Sequence, residues 1–195
     1  MKSLFFILII SAFISCTENR QWKAAEIDKT ISKVRVNPDT LVFEEMNQLE
    51  VPPNIFDNDS VYRTSSINYC RVVDKESSFY CLDNYQCWAF FNKSETLQIV
   101  LGNENGYTGD GIEIFYKKGN YYLKPYTWTH IDAPDKPESI VKVSEQRLIV
   151  NQKDYNEGDS LYGQIYFHGT VTENGETAEH FVKGYFRAKI KSSIK

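Results

Sequence analysis

The sequence predicts an all-β fold, an antiparallel β-sandwich of about eight to ten strands after a short tether, and three observations carry that prediction. From Val61 onward, β-branched and aromatic residues fall in short runs separated by Gly, Asn, Asp and Pro, the spacing that strands and their turns require. Asn174-Gly175 stands between two such runs, and this dipeptide suits a two-residue hairpin turn because it tolerates positive φ at both central positions. The flanking runs also alternate in polarity. Leu161, Gly163, Ile165 and Phe167 alternate with Tyr162, Gln164, Tyr166 and His168, while Val182, Phe186, Ala188 and Ile190 alternate with Lys183, Tyr185, Arg187 and Lys189. A turn at Asn174-Gly175 pairs Phe167 with Val182, Ile165 with Gly184, Tyr166 with Lys183 and His168 with Phe181. Each pair then shares a face, one apolar and one wet.

The remaining strands follow from the same pattern. Ile112 to Tyr116 and Tyr121 to Tyr126 form a hairpin about Lys117-Lys118-Gly119-Asn120, whose turn length the residues leave ambiguous. Ile67 to Val73, Phe79 to Leu82, Trp88 to Phe91, Leu97 to Leu101, Ile140 to Val143 and Gln146 to Val150 complete the set. An eight-stranded outer-membrane barrel is the competing closure, but it needs an unbroken lipid-facing apolar band, and Lys183, Arg187 and Lys189 interrupt it. Leu41 to Leu49, between Asn37-Pro38-Asp39 and Val51-Pro52-Pro53, fits helix or strand equally well and is left unassigned.

The 195 residues carry 26 acidic and 22 basic side chains, a net charge of −4, and loss of a leader containing Lys2 makes the balance one unit more negative. That is no electrostatic footprint for nucleic acid. The first residues read Met1-Lys2-Ser3, then the apolar run Leu4 to Ile10, then Ser11-Ala12-Phe13-Ile14-Ser15-Cys16: a charged start, a hydrophobic stretch and a small residue before a cysteine, the layout of an export signal. Counted from Leu4 to Ile14 the apolar stretch is eleven residues, against roughly 20 for a bilayer-spanning helix. Phe13-Ile14-Ser15-Cys16 resembles the lipobox of bacterial lipoprotein precursors, with Phe13 in place of the usual Leu. The resemblance implies cleavage before Cys16, acylation of that cysteine, and attachment to the membrane of a bacterial cell envelope. Thr17 stands where an Asp would retain many such proteins at the inner membrane, which leans the expectation toward the outer membrane. The expected organisation is a signal peptide over 1–15, a tether and irregular lead-in over 16–55, and a β-sandwich over 56–195.

Apart from Cys16, the cysteines are Cys70, Cys81 and Cys87, in a compartment that permits disulfides. A turn over Asp74 to Ser77 sets Cys70 opposite Cys81, with Val72 and Phe79 on the same face, and favours that bridge; Cys81–Cys87 and Cys70–Cys87 are the alternatives. Closing a loop of about 12 residues contributes roughly 3 kcal/mol in the chain-entropy account. No two cysteines have CxxC spacing.

Three constellations bear on chemistry. Gly158-Asp159-Ser160-Leu161 resembles the nucleophile block of the GDSL esterases, which implies Ser160 as a nucleophile, but no Asp-x-x-His follows it; a polar turn over Asn156 to Asp159 accounts for the same residues. His130, His168 and His180 lack the close spacing of metal ligands, with His168 and His180 on opposite strand faces. Asp57-Asn58-Asp59-Ser60 offers oxygen ligands without the Gly and Glu of a calcium loop. No metal or cofactor is expected.

Aromatic residues are abundant, and strand parity sends Tyr162, Tyr166 and Tyr185 to one face with Gln164, Lys183 and Arg187. Tyr162, Tyr166, Tyr185 and Arg187 are therefore the candidate binding face, suited to a protein or carbohydrate partner. Ordinary cross-strand packing explains aromatic residues in strands equally well. Gly163 to Phe167 and Lys183 to Ala188 resemble the C-terminal strands of small uncharacterised β-sandwich lipoproteins. The expectation is a non-enzymatic, lipid-anchored envelope lipoprotein that acts as a binding or interaction module. The alternatives are an immunity or inhibitor lipoprotein that blocks a toxin or lytic enzyme through a loop at Gly102 to Asp110 or Ile131 to Glu138, and a GDSL-like hydrolase.

Overall fold

The computed structural model describes residues 22–49, 63–73, 79–84, 86–104, 108–129, 139–173 and 175–192. It is a mostly β structure built as two packed sheets. In chain order the strands are β1 (Lys23–Ala24), β2 (Glu26–Ile27), β3 (Arg35–Asn37), β4 (Thr40–Leu41), β5 (Ser65–Val72), β6 (Phe79–Asn84), β7 (Gln86–Phe91), β8 (Leu97–Glu104), β9 (Thr108–Lys117), β10 (Asn120–Thr129), β11 (Ile140–Val150), β12 (Ser160–Glu173) and β13 (Glu176–Lys189). One short helix, α1 (Val42–Glu45), continues into a 3-10 turn at Met46–Gln48. One sheet has the order β1-β10-β9-β8-β7 and the other β2-β11-β12-β13-β5-β6, with β3 and β4 paired separately.

The β12–β13 hairpin has the register that parity predicts: Ile165 faces Gly184, Tyr166 faces Lys183, Phe167 faces Val182 and His168 faces Phe181. Glu173 pairs directly with Glu176, so the loop is two residues long, and Gly175 takes φ 83°. Asn174 lies outside the described residues. The second hairpin resolves its ambiguity in the same way. Lys117 faces Asn120, leaving Lys118 and Gly119 as a two-residue turn with φ 51° and 83°. Ile140 to Val150 is one strand rather than the two expected, because the register shifts between Val143 and Glu145. One extra residue there makes a bulge that breaks the sequence alternation without ending the strand.

The core fills the space between the sheets. Ile99, Leu101, Ile112, Ile114 and Tyr121 meet Ile67, Leu148, Leu161, Ile165, Phe167 and Phe186, all buried. Gly163 belongs to this layer, and a Cβ there would run into the ring of Phe186, which is its cross-strand partner. The sheets are joined at both margins. On one side β6 leads into β7 across a single residue, the Ser65 hydroxyl donates to the Gln86 carbonyl (3.2 Å), and Lys191 N–H donates to the Ala89 carbonyl (2.9 Å). The other margin is stitched by the N-terminal segment: β1 pairs with β10, and three residues on, β2 pairs in parallel with β11. Between them Ala25 N–H donates to the Gly119 carbonyl (2.8 Å).

Residues 22–49, within the stretch expected as a tether and irregular lead-in over 16–55, pack against both sheets. After stitching the sheets the chain buries Ile31, turns through β3 and β4, and lays α1 across the outside of the six-stranded sheet. Val42, Phe43 and Met46 form a small apolar cluster there with Val34, Tyr162 and Tyr185. Cys70 and Cys81 are paired opposite each other and joined by a disulfide, on the outward face of β5 and β6. The turn expected between them falls outside the described residues. Cys87 is free and buried in the core.

Replacing Gly163 with Ala forces the Phe186 ring to move, so it lowers stability by about 1–3 kcal/mol, the range for overpacked cores. Urea unfolding checks this as a fall in midpoint at unchanged slope.

Candidate functional site

Outward-facing residues of the six-stranded sheet stand in rows set by the strand pairings. Arg147, Tyr166, Lys183, Asn68 and Asp83 follow one another across β11, β12, β13, β5 and β6. The parity argument thus places Tyr162, Tyr166, Tyr185 and Arg187 on one face, but they do not form the open aromatic surface expected of them. The Phe43 ring lies edge-on against Tyr162 at 5.1 Å and against Tyr185 at 6.3 Å. Arg187 is turned into the same contact: its guanidinium donates to the Phe43 carbonyl (3.0 Å), to the Arg63 carbonyl (3.2 Å) and to the Asn47 side-chain oxygen. Three of the four residues are thus engaged by α1 and its flanks, because one helical turn supplies the apolar cover that a half-buried tyrosine pair needs.

Tyr166 escapes this cover. It borders a depression of about 320 Å³ with Glu145, Arg147, Ile149, Gln164 and Lys183. Arg147 is held at its rim by a bidentate pair with Glu26, both contacts 2.7 Å, and this hydrogen-bonded partner lowers the Glu26 pKa and raises that of Arg147. One ring, one amide and charges of both signs thus line one concave surface. Beyond it, His168 stacks on Phe181 at 4.4 Å and its Nε2 lies 2.6 Å from the Glu179 carboxylate.

The outer face of the five-stranded sheet holds a second group, which parity alone did not locate. With the two-residue turn at Lys118-Gly119, Tyr122 falls opposite Phe115, and the same row continues through Gln98 to Phe90. The Tyr122 and Phe115 rings stack at 4.5 Å, and Trp22 caps the row edge-on to Tyr122 at 4.9 Å. The adjacent row holds Lys124, Glu113, Val100 and Trp88, with Gln98 donating to the Glu113 carboxylate (2.8 Å). The alternation of Glu113 and Phe115 with buried Ile112 and Ile114, and of Tyr122 and Lys124 with buried Tyr121 and Leu123, was the available signal, and it needed the turn length to become a register.

A third group lies inside one end of the sandwich. The Tyr69 hydroxyl and Nδ1 of His180 share a hydrogen bond of 2.6 Å, beside Arg71, Glu173 and Glu176 around a cleft of about 10 Å³, room for about one water. Burial, reinforced by the Arg71 charge, lowers the His180 pKa to about 4 and, through burial first, raises that of Tyr69. The imidazole is neutral at pH 7, and the pair serves to satisfy two buried polar side chains. Burial likewise raises the Cys87 thiol far above its ordinary range, which leaves it without nucleophilic character.

Ser160 opens β12, and Asn156, Glu157, Gly158 and Asp159 before it form the polar turn, with Asn156 N–H donating to the Asp159 carboxylate (2.7 Å). His168 lies eight residues along the same strand, roughly 27 Å away at strand rise, and His180 pairs with Gly169 one step further on. The structure therefore brings neither histidine to Ser160. His130, Cys16, residues 57–60 and residues 131–138 lie outside the described residues. Among the described residues there is no group of three or more His, Cys, Asp or Glu placed to hold a metal, and no helix long and apolar enough to cross a membrane.

No family model, curated protein or solved structure matches this chain. The reading of its surfaces therefore rests on their own chemistry.

The folded-state pKa of His180, about 4, lies below the ordinary value near 6.5 of an unfolded chain. The unfolded state then binds more protons between these values, so the His180 contribution is complete above about pH 6.5 and is lost as the pH falls toward 4. In a His180→Gln variant this part of the slope disappears. Urea unfolding at pH 7 and pH 4.5 measures it as the difference between the two proteins, with an expected loss on the order of 2–3 kcal/mol in the wild type.

Proposed function

We propose that this protein is a lipid-anchored lipoprotein of the bacterial cell envelope, at the outer membrane, and that its β-sandwich is a non-enzymatic interaction module. The observation that carries the binding half is the depression around Tyr166. It is the part of the six-stranded sheet's outer face that offers a ring, an amide and a lysine while α1 covers the neighbouring tyrosines. Glu145, Arg147 and Lys183 give it charges of both signs, which favours a charged protein surface as the partner over an uncharged glycan. The lipobox-like Phe13-Ile14-Ser15-Cys16 supports the anchor, and the Cys70–Cys81 disulfide agrees with an oxidising compartment. Neither described histidine stands near Ser160, so the groove is read as a surface for recognition.

Two measurements test this reading. Cys16→Ala shifts the product from the membrane to the soluble fraction, and the wild-type mature N-terminus carries the mass of an acylated cysteine. A photoreactive phenylalanine at position 166 crosslinks one defined envelope protein in cells, the same group at Glu157 does not, and Lys183→Glu reduces that crosslink at least tenfold. Equal crosslinking from positions 166 and 157 contradicts the binding half.

A further inference from the structure

We infer that the aromatic outer face of the five-stranded sheet rests on the anionic phospholipid surface that carries the Cys16 acyl chains, with Trp22 as its interfacial anchor. This inference rests on the acylation of Cys16 proposed above. The length of chain between the anchor and the fold is its first support. Six residue steps separate Cys16 from Trp22, which at full extension span no more than about 22 Å. Trp22 is at once the start of the described structure and the end of the aromatic row, so the row, rather than the groove on the opposite sheet, is tied close to the bilayer.

The residues at that corner have the chemistry of a membrane interface. Trp22 is 43% exposed, a high value for a tryptophan, and it extends the stack of Tyr122 and Phe115. Tryptophan and tyrosine are favoured at headgroup level because the ring is apolar and its N–H or O–H stays wet. Lys117 and Lys118 stand at this end and are exposed, with the Lys117 ammonium donating to the Ser94 carbonyl (3.0 Å), while the Lys23 ammonium is turned across the margin to the Gln146 carbonyl (2.7 Å). Each lysine near an anionic leaflet adds attraction. Glu113, in the adjacent row, accepts the Gln98 hydrogen bond, and the Lys23 charge helps to lower the pKa of Glu26. Phe90 and Trp88 carry the apolar surface on to the far edge of the sheet. A domain lying on this face holds the Tyr166 groove away from the membrane.

Tryptophan quenching by bromine-labelled acyl chains tests the orientation on the acylated full-length protein in vesicles of phosphatidylethanolamine and phosphatidylglycerol. The sequence has three tryptophans. Single-tryptophan proteins are made by keeping Trp22 (Trp88→Phe, Trp128→Phe), by keeping Trp88 (Trp22→Phe, Trp128→Phe), and by adding Tyr166→Trp to a chain with all three replaced by Phe. Circular dichroism confirms that each stays β, and mass spectrometry confirms acylation. The expected result is emission at least halved at Trp22 and clearly reduced at Trp88, unchanged at Tyr166→Trp, with Lys117→Glu plus Lys118→Glu weakening the Trp88 effect. Quenching at Trp22 alone means a domain swinging on its tether and overturns the inference, as does quenching at Tyr166→Trp. Relief of Trp88 quenching by soluble peptidoglycan fragments would show a glycan competing for the row and overturn it too. An unmodified Cys16 overturns both this inference and the proposed anchor, whereas acylated protein without Trp88 quenching overturns the orientation alone.

Discussion

The register of β12 against β13 is the constraint on which the rest of the structure depends. Fourteen residues on each strand are paired from Ser160 with Lys189 to Glu173 with Glu176, and side chains alternate strictly between core and outside. A slip by one residue would exchange the two sets. With β12 in place, a slip of β13 would carry Val182 and Phe186, which are buried, to the surface and bring Lys183 and Arg187 inward. The β11 and β5 pairings are laid down on either side of this hairpin, so its register is passed to most of the sheet. The Gly163–Phe186 pair fixes it a second time, because only a residue without a Cβ leaves room for the ring.

The same parity gives the molecule two chemically different outer faces. On the six-stranded sheet, α1 and the Arg187 hydrogen bonds cover two tyrosines and leave Tyr166 in a depression with charges of both signs. Trp22, Tyr122, Phe115 and Phe90 form an apolar row on the five-stranded sheet. The N-terminal segment links the two structurally. It stitches β10 to β11 through β1 and β2, begins beside the aromatic row, and ends by covering part of the opposite face. A single segment of about thirty residues thus closes the sandwich and sets how much of the tyrosine face is open.

Much of the fold was legible in the sequence, and the reasons for the misses are physical. Asn174-Gly175 allows one tight turn, and the alternation on both sides agrees with it, so the pairing of Phe167 with Val182 follows directly. The Cys70–Cys81 pairing followed from the same kind of argument. β11 read as two strands because a bulge between Val143 and Glu145 shifts the parity. The stretch up to about Lys33 read as a tether because its apolar residues are scattered, and Leu41 to Leu49 stayed unassigned because its pattern fits helix and strand alike. Ile31, Phe43 and Met46 are buried by a sheet that forms from residues far along the chain, and α1 is too short to announce itself. The aromatic row stayed hidden for a different reason: Lys117 to Asn120 permits turns of more than one length, and a three-residue turn would shift Tyr122 away from Phe115, whereas the turn formed sets them opposite each other.

Both faces, the covered tyrosines and the groove beside Tyr166 are consequences of one pairing scheme. Cross-strand nuclear Overhauser contacts on isotopically labelled protein test it most directly. The account predicts contacts that link Tyr166 to Lys183, Phe167 to Val182 and Gly163 to Phe186. Contacts placing Tyr166 opposite Val182 would contradict it, since the outward residues of one of the two strands would then point into the core.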